Sequence, residues 1–190
     1  MIVERRRPRR ANRVGWVERK QNPSQRLGGF RFTHSPTLQP PTRPGPMIIF
    51  RAAESKHDYG CCIVIRTLVF EVEQHVDSHL EVDEHEEVCR HILGVDGRKP
   101  VAAARWRIYQ PGVAKIERVA VLRAWRGRNL GTALMDAVIS DIRSTGPELK
   151  TLRLEAQDFA IPFYEKMGFA VVGDGFLQAG IPHHAMERCA

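Results

Sequence analysis

The sequence has few of the features that mark several common classes of protein. Its 190 residues include only four cysteines, Cys61, Cys62, Cys89 and Cys189, and their spacing matches no metal-binding motif. No apolar run approaches the roughly 18 residues of a membrane span, and no secretory-type apolar segment is present. These absences argue against a disulfide scaffold and a membrane-spanning helix, and we expect a cytoplasmic protein with reduced thiols.

Positive charge is confined to one end of the chain. Residues 1–46 hold 11 basic and 2 acidic residues together with 7 of the 12 prolines, whereas residues 47–190 hold 18 basic and 20 acidic residues. We therefore expect a disordered basic leader over 1–46 and a folded domain over 47–190. A nucleic-acid-binding arm, an organellar targeting peptide and translation from Met47 stay open for the leader. Nucleic acid is not the expected partner of the folded domain.

The apolar patterning from Met47 onward predicts the order strand, helix, three strands, helix, strand, helix and two strands. The first helix is expected from Ser55, its N-cap, to Gln74. The strand–helix–strand unit over residues 115–156 should be parallel and right-handed. The predicted fold is therefore α/β (α+β): a mixed, mostly antiparallel sheet with helices on both faces and one parallel β-α-β unit.

The stretch "WRGRNLGTALM", residues 125–135, has the composition of an anion-binding turn at a helix start. Gly127 and Gly131 are expected to take positive φ, and Arg126 and Arg128 offer guanidinium donors. The glycine spacing differs from that of the P-loop and of the dinucleotide-binding fingerprint. A plain helix start with solvated arginines is the structural alternative.

The surrounding motifs resemble a known family. "IERVAV" before this stretch, and "LRLEAQDFAIPFYEKMGFAVVGDGF" after it, resemble the GNAT superfamily of acyl-CoA-dependent N-acyltransferases. "VFEVEQHV" and "AGIPHHAM" are similar to its YjcF-like or ElaA-like bacterial branch. The resemblance covers about residues 47–188. It implies a GNAT fold and transfer of an acetyl group from acetyl-CoA to an amine-bearing acceptor.

The resemblance also implies where acetyl-CoA binds. The pantetheine arm would pair with the strand over residues 117–121, and the thioester would lie between this strand and the one over residues 151–156. The family pattern has glycine where this chain has Asn129, and asparagine is the side chain that best tolerates the left-handed region. The implied cofactor-binding residues are Val119, Ala120, Val121, Arg126, Gly127, Arg128, Asn129, Leu130, Gly131 and Thr132.

Three side chains are candidates for moving protons. The resemblance implies that Tyr164 protonates the leaving thiolate; a core residue with its hydroxyl bonded to a partner is the alternative. By alternation Glu117 shares a face with Val119 and Val121, and a cleft there would raise its pKa and suit a base; a surface ion pair is the alternative. His183 and His184 point to opposite faces of a strand, and His183 is the preferred second candidate base.

The acceptor site is less defined. Glu73 and Gln74 are candidate acceptor-binding residues, against an ordinary helix end. The histidines and acidic residues from His75 to Cys89 are interpreted as a solvated loop, and we predict no metal. A catalytically weak acyl-CoA-sensing module is the alternative function, suggested by Asn129. The acceptor's identity and the oligomeric state, a homodimer included, stay open.

Overall fold

The computed structural model describes residues 47–190, and the predicted leader lies outside the described residues. The strands are β1 Ile48–Ala52, β2 Arg90–Asp96, β3 Lys99–Gln110, β4 Val113–Val121, β5 Thr151–Gln157, β6 Ala170–Val171, β7 Phe176–Gln178 and β8 Ile181–Cys189. The helices are α1 Lys56–Arg66, a π-helix Thr67–Glu73 that continues it (the π segment), α2 Leu130–Thr145 and α3 Ile161–Lys166. Within this part of the chain no helix is long and apolar enough to cross a membrane.

The strands form one mixed sheet in the order β1-β2-β3-β4-β5-β8-β6, and β7 also pairs with β8. The β4–β5 pair is parallel and the other pairs are antiparallel, which confirms the predicted fold class. The expectation of two final strands was wrong, because three are present. The missed strand, β7, has only three residues, too few for alternation to be visible.

Local signals explain where the longer elements begin and end. The Ser55 hydroxyl accepts a hydrogen bond from the Asp58 N–H at 3.1 Å, so Ser55 caps α1 as predicted. Gly146 ends α2 by donating its N–H to the Ile142 carbonyl at 2.8 Å. The β2–β3 hairpin turns at Gly97, whose φ of 57° suits glycine.

Helices cover both faces of the sheet, and alternate strand residues pack on each. Ile92 and Ala104 belong to the larger apolar cluster, which α2 covers, whereas Leu93 and Ala103 belong to the smaller cluster beneath α1. Partly buried residues of α3 pack against the larger cluster. We call these two surfaces the α2 face and the α1 face.

A bulge at Arg118 interrupts the alternation of β4. Arg105 pairs with Glu117 and Ala103 with Ala120, so β4 uses three residues where β3 uses two, and Arg118 has a φ of 53°. Glu117 consequently lies on the α1 face with Arg105, whereas Val119 packs on the α2 face. The prediction that Glu117 shares a face with Val119 and Val121 was therefore wrong.

The first helix has its predicted extent but not one uniform geometry. The α-helix ends at Arg66, and the π segment carries the chain to Glu73. His75 then adopts a φ of 58°, and the Val76 N–H donates to the Phe70 carbonyl at 2.9 Å. This wide turn fixes the position of the last helical residues, which matters because π turns are frequent at functional sites.

Candidate active site

The parallel strands β4 and β5 separate after a short paired stretch. Val113–Lys115 pairs with Thr151–Arg153, but β4 continues to Val121 and β5 to Gln157. The edge of β4 beyond Lys115 therefore faces a gap with no β5 partner. An unpaired strand edge presents amide donors and acceptors that an extended molecule can pair with.

The turn between β4 and α2 presents a row of backbone donors at the end of that gap. The backbone N–H groups of residues 127–132 donate no hydrogen bond to any acceptor in the described part of the chain. Gly127 has a φ of 75°, and Asn129, the residue before α2, has φ 58° and ψ 15°. Asn129 thus takes the left-handed conformation that glycine adopts most easily. The helix dipole adds partial positive charge at this point.

Two expectations about this turn need correction. Gly131 lies inside α2 and does not take positive φ; a Cβ there would lie 3.4 Å from Phe163 Cζ of α3, at ordinary van der Waals distance. The Arg126 N–H donates to the Arg123 carbonyl at 3.3 Å. The row of available amides therefore begins at Gly127.

The arginine side chains of the turn are already engaged. Arg126 donates from Nε to the Val121 carbonyl at 2.9 Å and from Nη2 to Glu73 Oε2 at 2.9 Å, and its Nη1 bonds Glu73 Oε1. The hydrogen bond from Arg126 is the main cause of a lowered pKa at Glu73. Arg128 lies over the Trp125 ring, 5.6 Å from its centroid. Glu73 thus contacts the turn between β4 and α2, whereas the sequence analysis predicted that it binds the acceptor.

Gln74 contacts the opposite side of the gap. Gln157 Nε2, at the end of β5, donates to Gln74 Oε1 at 3.0 Å. The end of the first helix therefore reaches the turn after β4 through Glu73 and the end of β5 through Gln74. We call these two residues the helix-end bridge. The bridge therefore connects the turn after β4 to the end of β5 from the α1 side of the sheet.

His183 lies beside the helix-end bridge. It is the cross-strand partner of Gln157, so both side chains lie on the α1 face. Its ring is only 8% exposed and stacks on Phe176 with centroids 6.0 Å apart. Nδ1 lies 2.8 Å from the Ile181 carbonyl and must donate to it, so Nε2 of the neutral ring is an acceptor.

His184 is directed to the other face, as predicted. Its partner Ala156 belongs to the α2-face cluster. Its Nδ1 donates to Asp158 Oδ1 at 2.9 Å. The two adjacent histidines therefore have different surroundings, and only His183 shares a face with the helix-end bridge.

Tyr164 lies on α3 on the α2 face. Its ring packs edge-on against Phe163 and Phe169, with centroids 4.9 and 6.0 Å away. Burial raises its pKa to about 12. Its hydroxyl makes no hydrogen bond to any of the described residues. Tyr164 thus stays protonated at neutral pH and can act as a proton donor.

Glu117 is held as a carboxylate by three cations. Its oxygens lie 2.9 Å from Arg105, 3.4 Å from Lys115 and 3.5 Å from Arg107. Burial opposes its charge, but Arg105, Lys115 and Arg107 outweigh it and lower its pKa. The expected rise in pKa was therefore wrong, and the ion-pair alternative describes Glu117 better than a poised base does.

The acidic stretch before β2 is part of a buried charge cluster. Glu81 is 2% exposed and accepts from Arg66, which is fully buried, at 2.5 Å; Asp83 accepts from Arg105 at 2.6 Å. The interpretation as a solvated loop was therefore wrong for Glu81, Asp83 and Glu86, whereas His75, His79 and Glu84 are exposed as expected. Arg105 was the available signal, since an arginine within the apolar strand "VAAARWRIY" needs carboxylate partners once buried. No metal-type group of His, Cys, Asp and Glu occurs in residues 47–190 as described.

His91 adjoins this cluster on β2. Its side chain is buried, and Nε2 lies 3.4 Å from Glu86 Oε2. Its Nδ1 has no hydrogen-bond partner within the described part of the chain. Burial is the main cause of a lowered pKa, so the ring is neutral at pH 7.

Comparison with known proteins gives a consistent result. A family model described as "Acetyltransferase (GNAT) domain" matches residues 61–189. The uncharacterized N-acetyltransferase YjcF of Bacillus subtilis is 41% identical over 137 residues, 72% of this chain and 96% of that protein. The crystal structure of Escherichia coli ElaA matches with a TM-score of 0.67 at 29% identity, covering 75% of this chain and 99% of that one.

One further structure shares the fold with a bound ligand. A GNAT family acetyltransferase from Elizabethkingia anophelis, solved with acetyl-CoA bound, matches with a TM-score of 0.57 at 12% identity. The match covers 75% of this chain and 98% of that chain. At this identity the likeness is one of fold.

Proposed function

This chain belongs to the GNAT acetyltransferase family, and we propose that it transfers the acetyl group of acetyl-CoA to a primary amine by direct attack in a ternary complex. The observation that carries the proposal is the continuity between two unpaired features. The unpaired edge of β4 ends at Val121, and one short turn over residues 122–126 connects it to the row of free amides over residues 127–132.

The described residues fit acetyl-CoA along this line. The amides of residues 127–132, at the positive end of the α2 dipole, would hold the pyrophosphate. The β4 edge along Val119, Ala120 and Val121, where Arg126 already holds the Val121 carbonyl, would hydrogen-bond the amides of the pantetheine arm. The separation of β4 from β5 leaves space for the thioester between them. The related fold of the Elizabethkingia enzyme holds acetyl-CoA, which supports the assignment.

We assign the proton transfers to Tyr164 and His183. The amine nitrogen forms a bond to the acetyl carbon, the carbon–sulfur bond breaks, and the amine loses a proton. Tyr164, which remains protonated at neutral pH, would donate to the leaving thiolate. His183 Nε2 would accept the proton of the amine, because the Nδ1 contact leaves that nitrogen as the acceptor. Glu117 is a poorer base since its carboxylate is neutralised by three cations.

The first experiment measures binding of acetyl-CoA. Acetyl-CoA and CoA should each raise the melting temperature, with CoA competing against acetyl-CoA. A thiol-release assay with a panel of primary amines then tests turnover. If millimolar acetyl-CoA leaves the melting temperature unchanged, the proposed function is refuted.

The second experiment tests the two proton carriers. Tyr164→Phe should lower kcat at least about 100-fold while keeping CoA affinity; Tyr109→Phe, at an exposed ring, is its control. His183→Gln should lower kcat/KM by a similar factor, whereas His184→Gln, on the opposite face of β8, should change it little. A normal kcat/KM in His183→Gln would exclude His183 as the base.

The acyl-CoA-sensing alternative is supported by one observation. Glu117, which the sequence predicted as the base, has a lowered pKa and is therefore a poor proton acceptor. If His183 does not act as the base either, the domain would bind acyl-CoA without transferring its acyl group. Saturable CoA binding without thiol release from any amine in the panel would favour this alternative. We propose a cytoplasmic location for either activity, and the four free cysteines are compatible with it.

A further inference from the structure

Glu73 pairs with Arg126, so its carboxylate lies at the turn that we propose binds the pyrophosphate of CoA. Both Nη atoms of Arg126 bond the two oxygens of Glu73, and its Nε bonds the last carbonyl of β4. The guanidinium therefore offers its fork to a carboxylate at the junction of the β4 edge and the α2 amides. A phosphate would be bound by the same fork in the same bidentate manner.

We propose that Glu73 is an internal competitor for the phosphates of CoA, occupying Arg126 until the pyrophosphate displaces it. This inference rests on the proposed function. Displacement is favoured by charge, because a pyrophosphate carries more negative charge than one carboxylate. It is not opposed by deep burial, since both side chains are partly exposed.

The π segment explains why Glu73 reaches Arg126. Residues at the end of a π-helix are displaced from the positions that an α-helix of the same sequence would give them. The wide turn from Phe70 to Val76 and the left-handed His75 hold the segment in this geometry. The neighbouring Gln74–Gln157 hydrogen bond anchors the same helix end to β5. Release of Glu73 would therefore loosen one half of the helix-end bridge and leave the other half in place.

The test compares CoA affinity by calorimetry in matched variants. Glu73→Gln should bind CoA about fivefold more tightly than wild type, the size expected for a partly exposed ion pair. Glu71→Gln, a carboxylate of the same segment that bonds Thr67, should bind CoA as wild type does. Pantetheine, which lacks the pyrophosphate, should bind Glu73→Gln and wild type equally.

A double-mutant cycle distinguishes a Glu73 that competes with phosphate for Arg126 from a Glu73 that orients Arg126 for phosphate. Arg126→Gln should weaken CoA binding, and adding Glu73→Gln to it should give no gain, because the competitor then has no target. If Glu73→Gln weakens CoA binding, Glu73 orients Arg126 for phosphate and the inference is overturned; an unchanged affinity overturns it as well. Absence of CoA binding by the wild type would overturn the proposed function and this inference together.

Discussion

The buried guanidinium of Arg105 offers a quantitative test of the fold. Its side chain is 1% exposed and contacts the carboxylates of Asp83, Glu86 and Glu117. Replacement by methionine keeps much of the volume but leaves these carboxylates without their shared partner. Removing one member of a buried ion pair typically costs about 3–5 kcal/mol. Because domains of this size are stable by only about 5–15 kcal/mol, Arg105→Met should lose a large part of the free energy of unfolding.

The measurement is equilibrium unfolding in urea, with Arg90→Met as the matched control. Arg90 also makes a two-point contact with a carboxylate, that of Asp141 at 2.8 Å, but its side chain is 44% exposed. An exposed pair contributes roughly 0–1 kcal/mol, so the control should lose little stability. Equal losses in the two variants would refute the view that burial makes the Arg105 cluster important.

The pH dependence of the same variant adds an independent check. In the wild type, the surrounding arginines outweigh burial and lower the pKa of Asp83 to about 2, and they also lower the pKa of Glu86. These lowered values stabilise the fold above the pKa of the unfolded carboxyls, and this contribution is lost as pH falls. Without Arg105 the carboxyls can be protonated more easily. The stability difference between variant and wild type should therefore shrink from pH 7 to pH 4.

Three further predictions concern single positions. Asn129→Ala should lower the unfolding free energy by about 1 kcal/mol, because alanine tolerates the left-handed backbone poorly, whereas Asn129→Gly should not; calorimetry with and without CoA measures both. Because the folded-state pKa of His91 lies below its unfolded value, stability should fall as pH drops below about 6.5, and His91→Gln should lose less stability between pH 7 and 5.5. Gly94→Ala should cost about 1–3 kcal/mol in chemical denaturation, because its Cβ would lie 2.7 Å from Phe50 Cε1; a stability equal to wild type would show that the ring moves freely.

The order of elements was predictable because each long element has its own signal. The apolar stripe of α2, the Ser55 cap and the glycine turn at Gly97 are local, and their meaning does not depend on distant residues. The turn between β4 and α2 was also predictable from local sequence. Its conformation follows from Gly127 and Asn129, which both tolerate positive φ.

The side-chain arrangement of the site was less predictable because it depends on long-range pairing. Arg118 has a left-handed backbone that arginine does not favour on its own, and its side chain bonds Glu81 and Asp83, which are more than 30 residues away. This bulge reverses the face of Glu117 and so removes the basis for its predicted role. The Glu73–Arg126 pair likewise joins residues 53 positions apart through a helix whose change of geometry leaves no clear mark in the sequence.

The π segment makes a deletion more informative than a substitution at the same site. A π turn encloses one residue more than an α turn, so removing a single exposed residue such as Leu68 would let the segment close as ordinary α-helix. Because the extra residue is contained within one turn, the residues that follow it would keep their directions, and Glu73 should still reach Arg126. The shortened chain should then bind CoA as wild type does, whereas Glu73→Gln binds it more tightly. The extra residue of the helix would be dispensable, and the carboxylate at its end would set the affinity for the coenzyme.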